Sequence, residues 1–243
     1  MNIKLTIEYD GVNYHGWQSQ PDGQTIQQIL EQALETIVGV KIRLNGSGRT
    51  DAGVHALGQV ANFFFDGETD LRRLHKGLNA LTPPDIMVKQ IEAVPDSFDA
   101  RRDAKGRVYM YRIWNHSYPS AFHGRFSWHV HDSLNLHPMQ EAIRFLEGEH
   151  NFASFQAAGC DAKHPVRKIY SNSLGREGDF LVYTIEATAF LRHMVRNIVG
   201  TLVEVGREER SPGEFAELLK AQDRVRAGPT APPHGLFLVE VKY

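Results

Sequence analysis

The chain has 243 residues, a length that fits one large domain or two compact halves with a sizeable core. Hydrophobic residues make up 42% and charged residues 23%, which is typical of a globular protein and excludes a disordered chain or a collagen-like fibre. Lys and Arg number 27 against 29 Asp and Glu, giving a net charge of −2. Any basic surface for nucleic acid is therefore expected to be local.

Cys160 is the one cysteine, so an internal disulfide is excluded and a cytoplasmic location is predicted. The first eight residues alternate in polarity, and no stretch approaches the ~18 continuous apolar residues of a membrane span. We therefore expect no export signal and no membrane anchor. We also expect no metal site, because His-Glu-x-x-His and Cys-x-x-Cys motifs are absent and His129 and His131 are typical of alternate strand positions.

The first half alternates strand and helix patterns. Apolar residues at every second position predict a strand over 3–9. Thr25 and Gln28 form a capping-box signature before a helical pattern over 26–38, which Gly39 ends. The remaining predicted elements are strands over 40–44, 60–65 and 86–94 and a helix over 71–78 that Pro83-Pro84 closes. This order, β-α-β-β-α-β, is that of a ferredoxin-like fold.

The second half repeats this plan with additions. Its predicted strands cover 107–115, 166–173, 180–188 and 236–241, and its predicted helices cover 138–147, 190–205 and a segment opened by Ser211-Pro212. We therefore predict an α+β protein of two similar ferredoxin-like halves with antiparallel sheets, an N-terminal domain over 1–103 and a C-terminal domain over 104–243. An active-site cleft is expected between the halves, as is common for such sites.

The densest cluster of unusual residues is the glycine-rich run from Gly46 to Ala56. Its small residues let another backbone approach closely, while Arg49 and Asp51 supply charge. A nearby guanidinium favours an ionised carboxylate, so Asp51 is a candidate nucleophile or base. The alternative is a tight turn in which Asp51 caps the backbone and Arg49 is solvated.

A second candidate region, residues 101–131, holds six Lys and Arg and one acid, a local charge of +5. Aromatic residues are interleaved with that charge, a combination suited to looped or single-stranded RNA. The alternative is that the aromatic residues are core and the charges solvated. A third region, Phe190 to Asn197, is predicted to place Arg192 and Arg196 one helical turn apart, where they would hold phosphates or a carboxylate, or simply be solvated.

These residues together resemble the TruA family of tRNA pseudouridine synthases. Residues 49–56 resemble the active-site motif of that family, 107–112 its second motif and 190–196 its third. Tyr9-Asp10-Gly11, the run from Tyr14 to Gln20 and Phe98 to Arg101 are also similar to family sequences. The resemblance spans nearly the whole chain, in order.

The resemblance implies an isomerase that converts uridine to pseudouridine at positions 38, 39 and 40 of the tRNA anticodon arm. The C1′–N1 bond would break and C1′ would rejoin C5. Because substrate and product are isomers, no cofactor is expected. The family also implies a homodimer, with tRNA as the partner. The target base would leave its stack before reaction.

The same resemblance assigns roles to individual residues. Asp51 would be the catalytic nucleophile, adding to the base or the ribose, or it would instead remove a sugar proton. Tyr109, which follows Arg107 in a basic-x-Tyr pattern, would stack on the uracil. Arg196 would pair with Asp51, Arg49 would help to flip the nucleotide, and Arg107, Arg192 and His193 would bind substrate.

Two other functions fit parts of the sequence. A non-catalytic RNA-binding protein of tandem ferredoxin-like domains would use the same basic and aromatic region. However, the aromatic signature of the RNA-recognition motif is absent from residues 59–65. A metal-dependent hydrolase is the third possibility, and the missing ligand motifs count against it.

Overall fold

The computed structural model describes residues 1–67, 69–160 and 162–243. Over these residues the chain has a mixed α/β fold, which confirms the predicted class at that level. It forms two compact units, Met1–Lys105 with Phe237–Tyr243, and Gly106–Leu236. In the described part of the chain no helix has both the length and the apolar composition needed to cross a bilayer.

The first unit is built on an antiparallel sheet. Its elements are β1 (Asn2–Tyr9), α1 (Ile26–Val38), β2 (Asn45–Gly46), β3 (His55–Phe64), α2 (Leu71–Leu81), β4 (Ile86–Val94) and, from the chain's end, β10 (Leu236–Lys242). Strand β1 lies between β4 and β3, and β2 pairs with β3, all antiparallel. Strand β10 adds to β3 in parallel.

Helix α1 confirms its sequence prediction in detail. The Thr25 side chain accepts from the Gln28 amide and Gln28 reaches back to Thr25, a complete capping box. Gly39 ends the helix with φ 75°, a left-handed conformation that glycine adopts without a Cβ penalty. The apolar face includes the buried Ile26, Leu30 and Leu34. The helix therefore packs by the stripe that the sequence pattern indicated.

The predicted strand over 40–44 is wrong, since these residues form no strand and the two-residue β2 begins only at Asn45. Ile42 and Leu44 are buried, which accounts for the alternating pattern. However, helix α1 supplies the hydrogen bonds that a sheet neighbour would otherwise make. Glu31 Oε1 accepts from the Leu44 amide at 2.9 Å, and Gln27 Nε2 donates to the Leu44 carbonyl at 3.1 Å.

The last strand also differs from its expected grouping. The predicted second domain covers residues 104–243, but Phe237 and Leu238 of β10 pair with His55 and Ala56 of β3. This pairing groups β10 with the first unit. An alternating pattern predicts a strand without identifying its neighbour, because pairing partners are distant in sequence.

In the second unit the strands pair in the order β5-β9-β8-β7, with β6 parallel to β5. The other pairs are antiparallel. Its elements are β5 (Gly106–Asn115), β6 (Trp128–Val130), α3 (Leu136–Arg144), β7 (Gly148–Asn151), β8 (Val166–Glu177), β9 (Phe180–Ala187), α4 (Met194–Gly206) and α5 (Pro212–Ala221). Ser211 and Glu214 form the capping box of α5, which confirms the predicted start of that helix.

Helix α4 begins at Met194, whereas the sequence predicted a helix from about residue 190. His193, the residue before the first turn, has φ 61°, which a right-handed helix cannot contain. The apolar periodicity therefore extends further than the helix itself. The segment before His193 follows a separate path that leaves Phe190 and Arg192 outside α4.

Candidate active site

Asp51 lies in the loop that joins β2 to β3, here called the Asp51 loop (residues 47–54). The loop alternates between buried and accessible positions: Thr50 is buried, Asp51 is half-buried, and Arg49 and Ala52 are exposed. An inward residue therefore precedes the predicted catalytic carboxylate directly. This arrangement presents Asp51 at an accessible position while its neighbour is fixed in the core.

Two residues from earlier in the chain hold Thr50. The Tyr9 hydroxyl and Thr50 Oγ1 are hydrogen-bonded at 2.8 Å in a buried environment. The backbone amide of Trp17 donates to the Thr50 carbonyl at 3.2 Å. Gly16 allows this approach, since a Cβ at its φ of 85° would collide with the Thr50 carbonyl oxygen.

Gln59 on β3 holds the start of the Asp51 loop. Ser47 Oγ donates to Gln59 Oε1 at 2.7 Å, and Gln59 Nε2 donates to the Gly48 carbonyl at 3.1 Å. Burial raises the pKa of the neighbouring Tyr9, and the polar side chains of Thr50 and Gln59 oppose that shift. Tyr9 is therefore neutral and available as a hydrogen-bonding group.

The end of the Asp51 loop is fixed as well. The Val54 amide donates to the Asp51 carbonyl at 3.1 Å, and the Gly53 amide donates to the Tyr14 carbonyl at 3.3 Å. The next residue, His55, is buried and accepts from the Gly11 amide at Nδ1, at 3.1 Å. The loop is thus hydrogen-bonded along its length, which limits the directions in which Asp51 can point.

Arg107 and Tyr109 occupy β5 in the second unit, on one face of the strand. Arg107 Nη1 donates to the Thr188 carbonyl at 2.9 Å. The Tyr109 ring meets Phe190 edge to face, with centroids 5.0 Å apart and an interplanar angle of 81°. The second and third family motifs are therefore neighbours in this unit, joined through Tyr109 and Phe190.

The remaining predicted site residues flank the start of α4. Arg196 is half-buried, and its Nε donates to the Ala231 carbonyl at 2.7 Å. Arg192 is exposed and lies before the helix, so the prediction that Arg192 and Arg196 stack one helical turn apart is wrong. The left-handed His193 between them breaks the helical spacing.

His234 lies within the electrostatic reach of Arg196. Burial lowers the pKa of His234, a hydrogen bond with the Ser127 backbone raises it, and the positive charge of Arg196 lowers it. The net direction is downward. A neutral imidazole at His234 therefore leaves Arg196 as the permanent positive charge of this pair.

The basic and aromatic region divides between core and surface. Tyr111 and Ile113 are buried, as the core alternative predicts. The Arg112 guanidinium lies 4.2 Å from the centroid of the Phe180 ring, a cation–π contact. By contrast, Tyr118 is 72% and Phe122 88% exposed. Side chains able to contact RNA are thus present beside those that build the unit.

Within 1–67, 69–160 and 162–243, no three His, Cys, Asp or Glu side chains gather in a way that could hold a metal ion.

Tyr9 and Gln59, which support the Asp51 loop, are not among the predicted site residues. Tyr9 belongs to the Tyr9-Asp10-Gly11 run that is similar to family sequences, and Gln59 directly precedes the predicted strand over 60–65, but neither position carries a chemical signal. A buried polar residue in an apolar strand is the available hint, since such a group needs a hydrogen-bond partner. Which partner it has depends on the tertiary structure.

Most of the chain is similar to known tRNA pseudouridine synthases. Residues 5–103 and 142–243 match a family model described as tRNA pseudouridine synthase. A tRNA pseudouridine synthase A of Myxococcus xanthus is 47% identical over 242 residues, which cover 99% of this chain and 91% of that protein. The counterpart from Geotalea uraniireducens is 47% identical and that from Acetivibrio thermocellus 44%, and each match covers at least 99% of both chains.

A solved structure of an archaeal box H/ACA sRNP Nop10–Cbf5 complex matches 83% of this chain and 43% of that chain. Its identity of 12% and TM-score of 0.37 are too low to bear on the fold or the function. The full-length relatives and the family model, in contrast, cover the Asp51 loop as well as the Arg196 helix. The chain therefore belongs to the TruA family of tRNA pseudouridine synthases.

Proposed function

We propose that this enzyme acts on uridines 38, 39 and 40 in the anticodon arm of tRNA. As a member of its family, the chain isomerises uridine to pseudouridine in tRNA. The resemblance of the ordered motifs to those of the family supports these three anticodon-arm positions. The observation that supports catalysis by this chain is the half-buried Asp51 on a loop whose neighbouring residues are hydrogen-bonded to the core.

The proposed chemistry is centred on Asp51. The glycosidic C1′–N1 bond breaks, C1′ bonds to C5, the hydrogen on C5 leaves to solvent as a proton, and N1 takes up a proton in its place. Asp51 would add to the base or the ribose, or remove a sugar proton, and these routes share the need for a carboxylate at a fixed position. Substrate and product have the same composition, so the net reaction consumes no cofactor or co-reactant.

We assign the second unit's residues to substrate contact. Tyr109 would stack on the target uracil, since its ring is half-buried on β5 and is oriented by an edge-to-face contact with Phe190. Arg196 would act in the same step as Asp51, with its guanidinium oriented by the Ala231 carbonyl. Arg107, Arg192 and His193 would contact the RNA, and the exposed Arg49 would help to flip the nucleotide.

The finer description of the fold is part of the same proposal. In the first unit, the antiparallel order β4-β1-β3-β2 with helices α1 and α2 supports a ferredoxin-like half. For the second half of the sequence we retain the ferredoxin-like prediction on the basis of the chain order β5-α3-β8-β9-α4-β10. The homodimer is proposed from the family resemblance and the cytoplasmic location from the single cysteine, and sedimentation of the purified protein tests the dimer.

The direct test uses tRNA labelled with tritium at uridine C5. Purified enzyme should release tritium to water from a tRNA that carries uridine at 38, 39 or 40. A transcript with cytidine at all three positions should release none from that arm. Release that persists with this transcript would contradict the proposed positions. RNA binding without release from any tRNA would favour the non-catalytic RNA-binding protein.

A further inference from the structure

Four polar side chains lie beneath the Asp51 loop with almost no solvent exposure. Tyr9 is 3% exposed, Ser47 1%, Thr50 7% and Gln59 0%. They form two bonded pairs, Ser47 with Gln59 and Tyr9 with Thr50. The Gln59 side chain also acts on the Tyr9 hydroxyl, whose pKa it lowers against the larger effect of burial. Burying hydroxyl and amide groups is unfavourable unless each is hydrogen-bonded, so a network satisfied in this way has one preferred arrangement.

We propose that Tyr9 and Gln59 are positioning residues for pseudouridine formation, which fix the orientation of Asp51 from beneath its loop. The inference rests on the proposed catalytic role of Asp51. Neither residue would touch the RNA. Each would act by limiting the rotation of the backbone that carries the carboxylate.

Thr50 transmits the restraint from Tyr9 to Asp51. Its hydroxyl is held by Tyr9 and its carbonyl oxygen by the Trp17 amide, so both the side chain and the following peptide are restrained. That peptide carries the amide of Asp51. A rotation that turned the Asp51 side chain elsewhere would have to break one of these buried hydrogen bonds.

Gln59 restrains the loop from its other end. Its two amide atoms bond Ser47 and Gly48, three to four positions before Asp51. Gln59 Oε1 also accepts from the Val60 amide at 3.1 Å, which fixes the Gln59 side chain against its own strand. The Asp51 loop is thus clamped between a rigid strand and the Tyr9 hydroxyl.

The Tyr9 hydroxyl can be removed with little loss of shape. The ring stacks beside Trp17, with centroids 6.2 Å apart, and this packing remains in Tyr9→Phe. Thr50→Val is nearly isosteric and removes the partner hydroxyl, while Thr50→Ser retains it. Tyr183→Phe is the matched control, because Tyr183 is 1% exposed and its hydroxyl has no hydrogen-bond partner within the described residues.

The experiment measures single-turnover rates with enzyme in excess over tritium-labelled tRNA, together with tRNA affinity and melting temperature. We expect Tyr9→Phe and Thr50→Val each to slow the chemical step by about 10²-fold, the effect of a misplaced reacting group. The dissociation constant for tRNA should stay within about threefold, because these side chains do not contact RNA. Thr50→Ser should recover most of the rate, and Tyr183→Phe should match the unmodified enzyme.

The double variant Tyr9→Phe/Thr50→Val should be no slower than the slower single variant, because both remove the same bond. Single-turnover rates within threefold of the unmodified enzyme in both single variants, with Asp51→Ala inactive, would overturn the positioning role alone. Full activity in Asp51→Ala would overturn the proposed function and this inference with it. If Tyr9→Phe does not fold at the assay temperature, the positioning role is tested by the difference in single-turnover rate between Thr50→Val and Thr50→Ser.

Discussion

The two units hold their predicted functional residues in different ways. In the first unit, restraint reaches Asp51 through its neighbours, because Tyr9, Trp17 and Gln59 bond the residues around it. In the second unit the predicted side chains are themselves held: Phe190 meets the Tyr109 ring, and the Ala231 carbonyl accepts from Arg196.

This difference predicts two kinds of variant. Substitutions beneath the Asp51 loop should change the chemical step, because they keep the carboxylate but loosen its orientation. Substitutions in the second unit should remove a contact group together with its anchor, so tRNA binding and the chemical step should change in parallel.

Asp51→Asn should abolish turnover, with a loss of more than about 10³-fold, because an amide can act neither as a nucleophile nor as a base. Affinity for tRNA should remain within about tenfold, since one carboxylate contributes little to binding a polyanion. Tritium release and filter binding measure the two quantities. Loss of affinity in parallel with turnover would make Asp51 a structural residue and remove the contrast between the units.

Arg196→Lys should lower the turnover rate by about 10²-fold, because lysine keeps the charge but lacks the Nε donor that the Ala231 carbonyl accepts. Arg224→Lys is the structural control, since Arg224 also bonds backbone carbonyls in this unit, those of Ala227 and Gly228. The control should lower the melting temperature more than the rate per folded enzyme. Equal rates for Arg196→Lys and the unmodified enzyme would exclude a role for the anchored guanidinium.

Tyr109→Leu should lower kcat/KM by about tenfold or more, the cost of losing a base–aromatic stack. Tyr109→Phe should retain most of the activity, because the ring and its edge contact with Phe190 remain. Steady-state kinetics on tRNA measure both variants. If phenylalanine were as harmful as leucine, the hydroxyl rather than the ring face would be the important group.

The smallest effect concerns stability at alkaline pH. Burial raises the pKa of Tyr9 in the first unit and of Tyr111 in the second above the ordinary tyrosine value. The stability that these two buried tyrosines contribute to the folded state is complete below the unfolded-state pKa of about 10. It is lost as the pH rises further, because tyrosines in the unfolded chain ionise while those in the folded chain remain neutral.

Above pH 10, each such tyrosine should therefore make the free energy of unfolding fall more steeply, by about 1.4 kcal/mol for each further pH unit. Tyr111→Phe should make the decline shallower, as measured by urea denaturation at a series of pH values. The exposed Tyr118 offers the comparison, and Tyr118→Phe should leave the slope unchanged. Equal slopes for both variants would contradict the assignment.

Local patterns predicted most elements because their causes are local. The capping boxes at Thr25 and Ser211 and the left-handed Gly39 depend on residues three or four positions apart, and all three are present. The same reasoning failed where distant groups intervene. Backbone near Leu44 bonds side chains of α1 instead of a strand, and His193 interrupts an apolar pattern that begins before its helix does.

Motifs and periodicities are properties of neighbouring positions, so the sequence predicts the family, the mixed α/β class and the candidate residues Asp51, Tyr109 and Arg196. How those residues are held is visible only in the folded chain. The bonds from Tyr9 to Thr50 and from Gln59 to Ser47 join residues 41 and 12 positions apart. Such contacts form when strands pair and bury their polar side chains together, and no local pattern encodes which buried groups will meet.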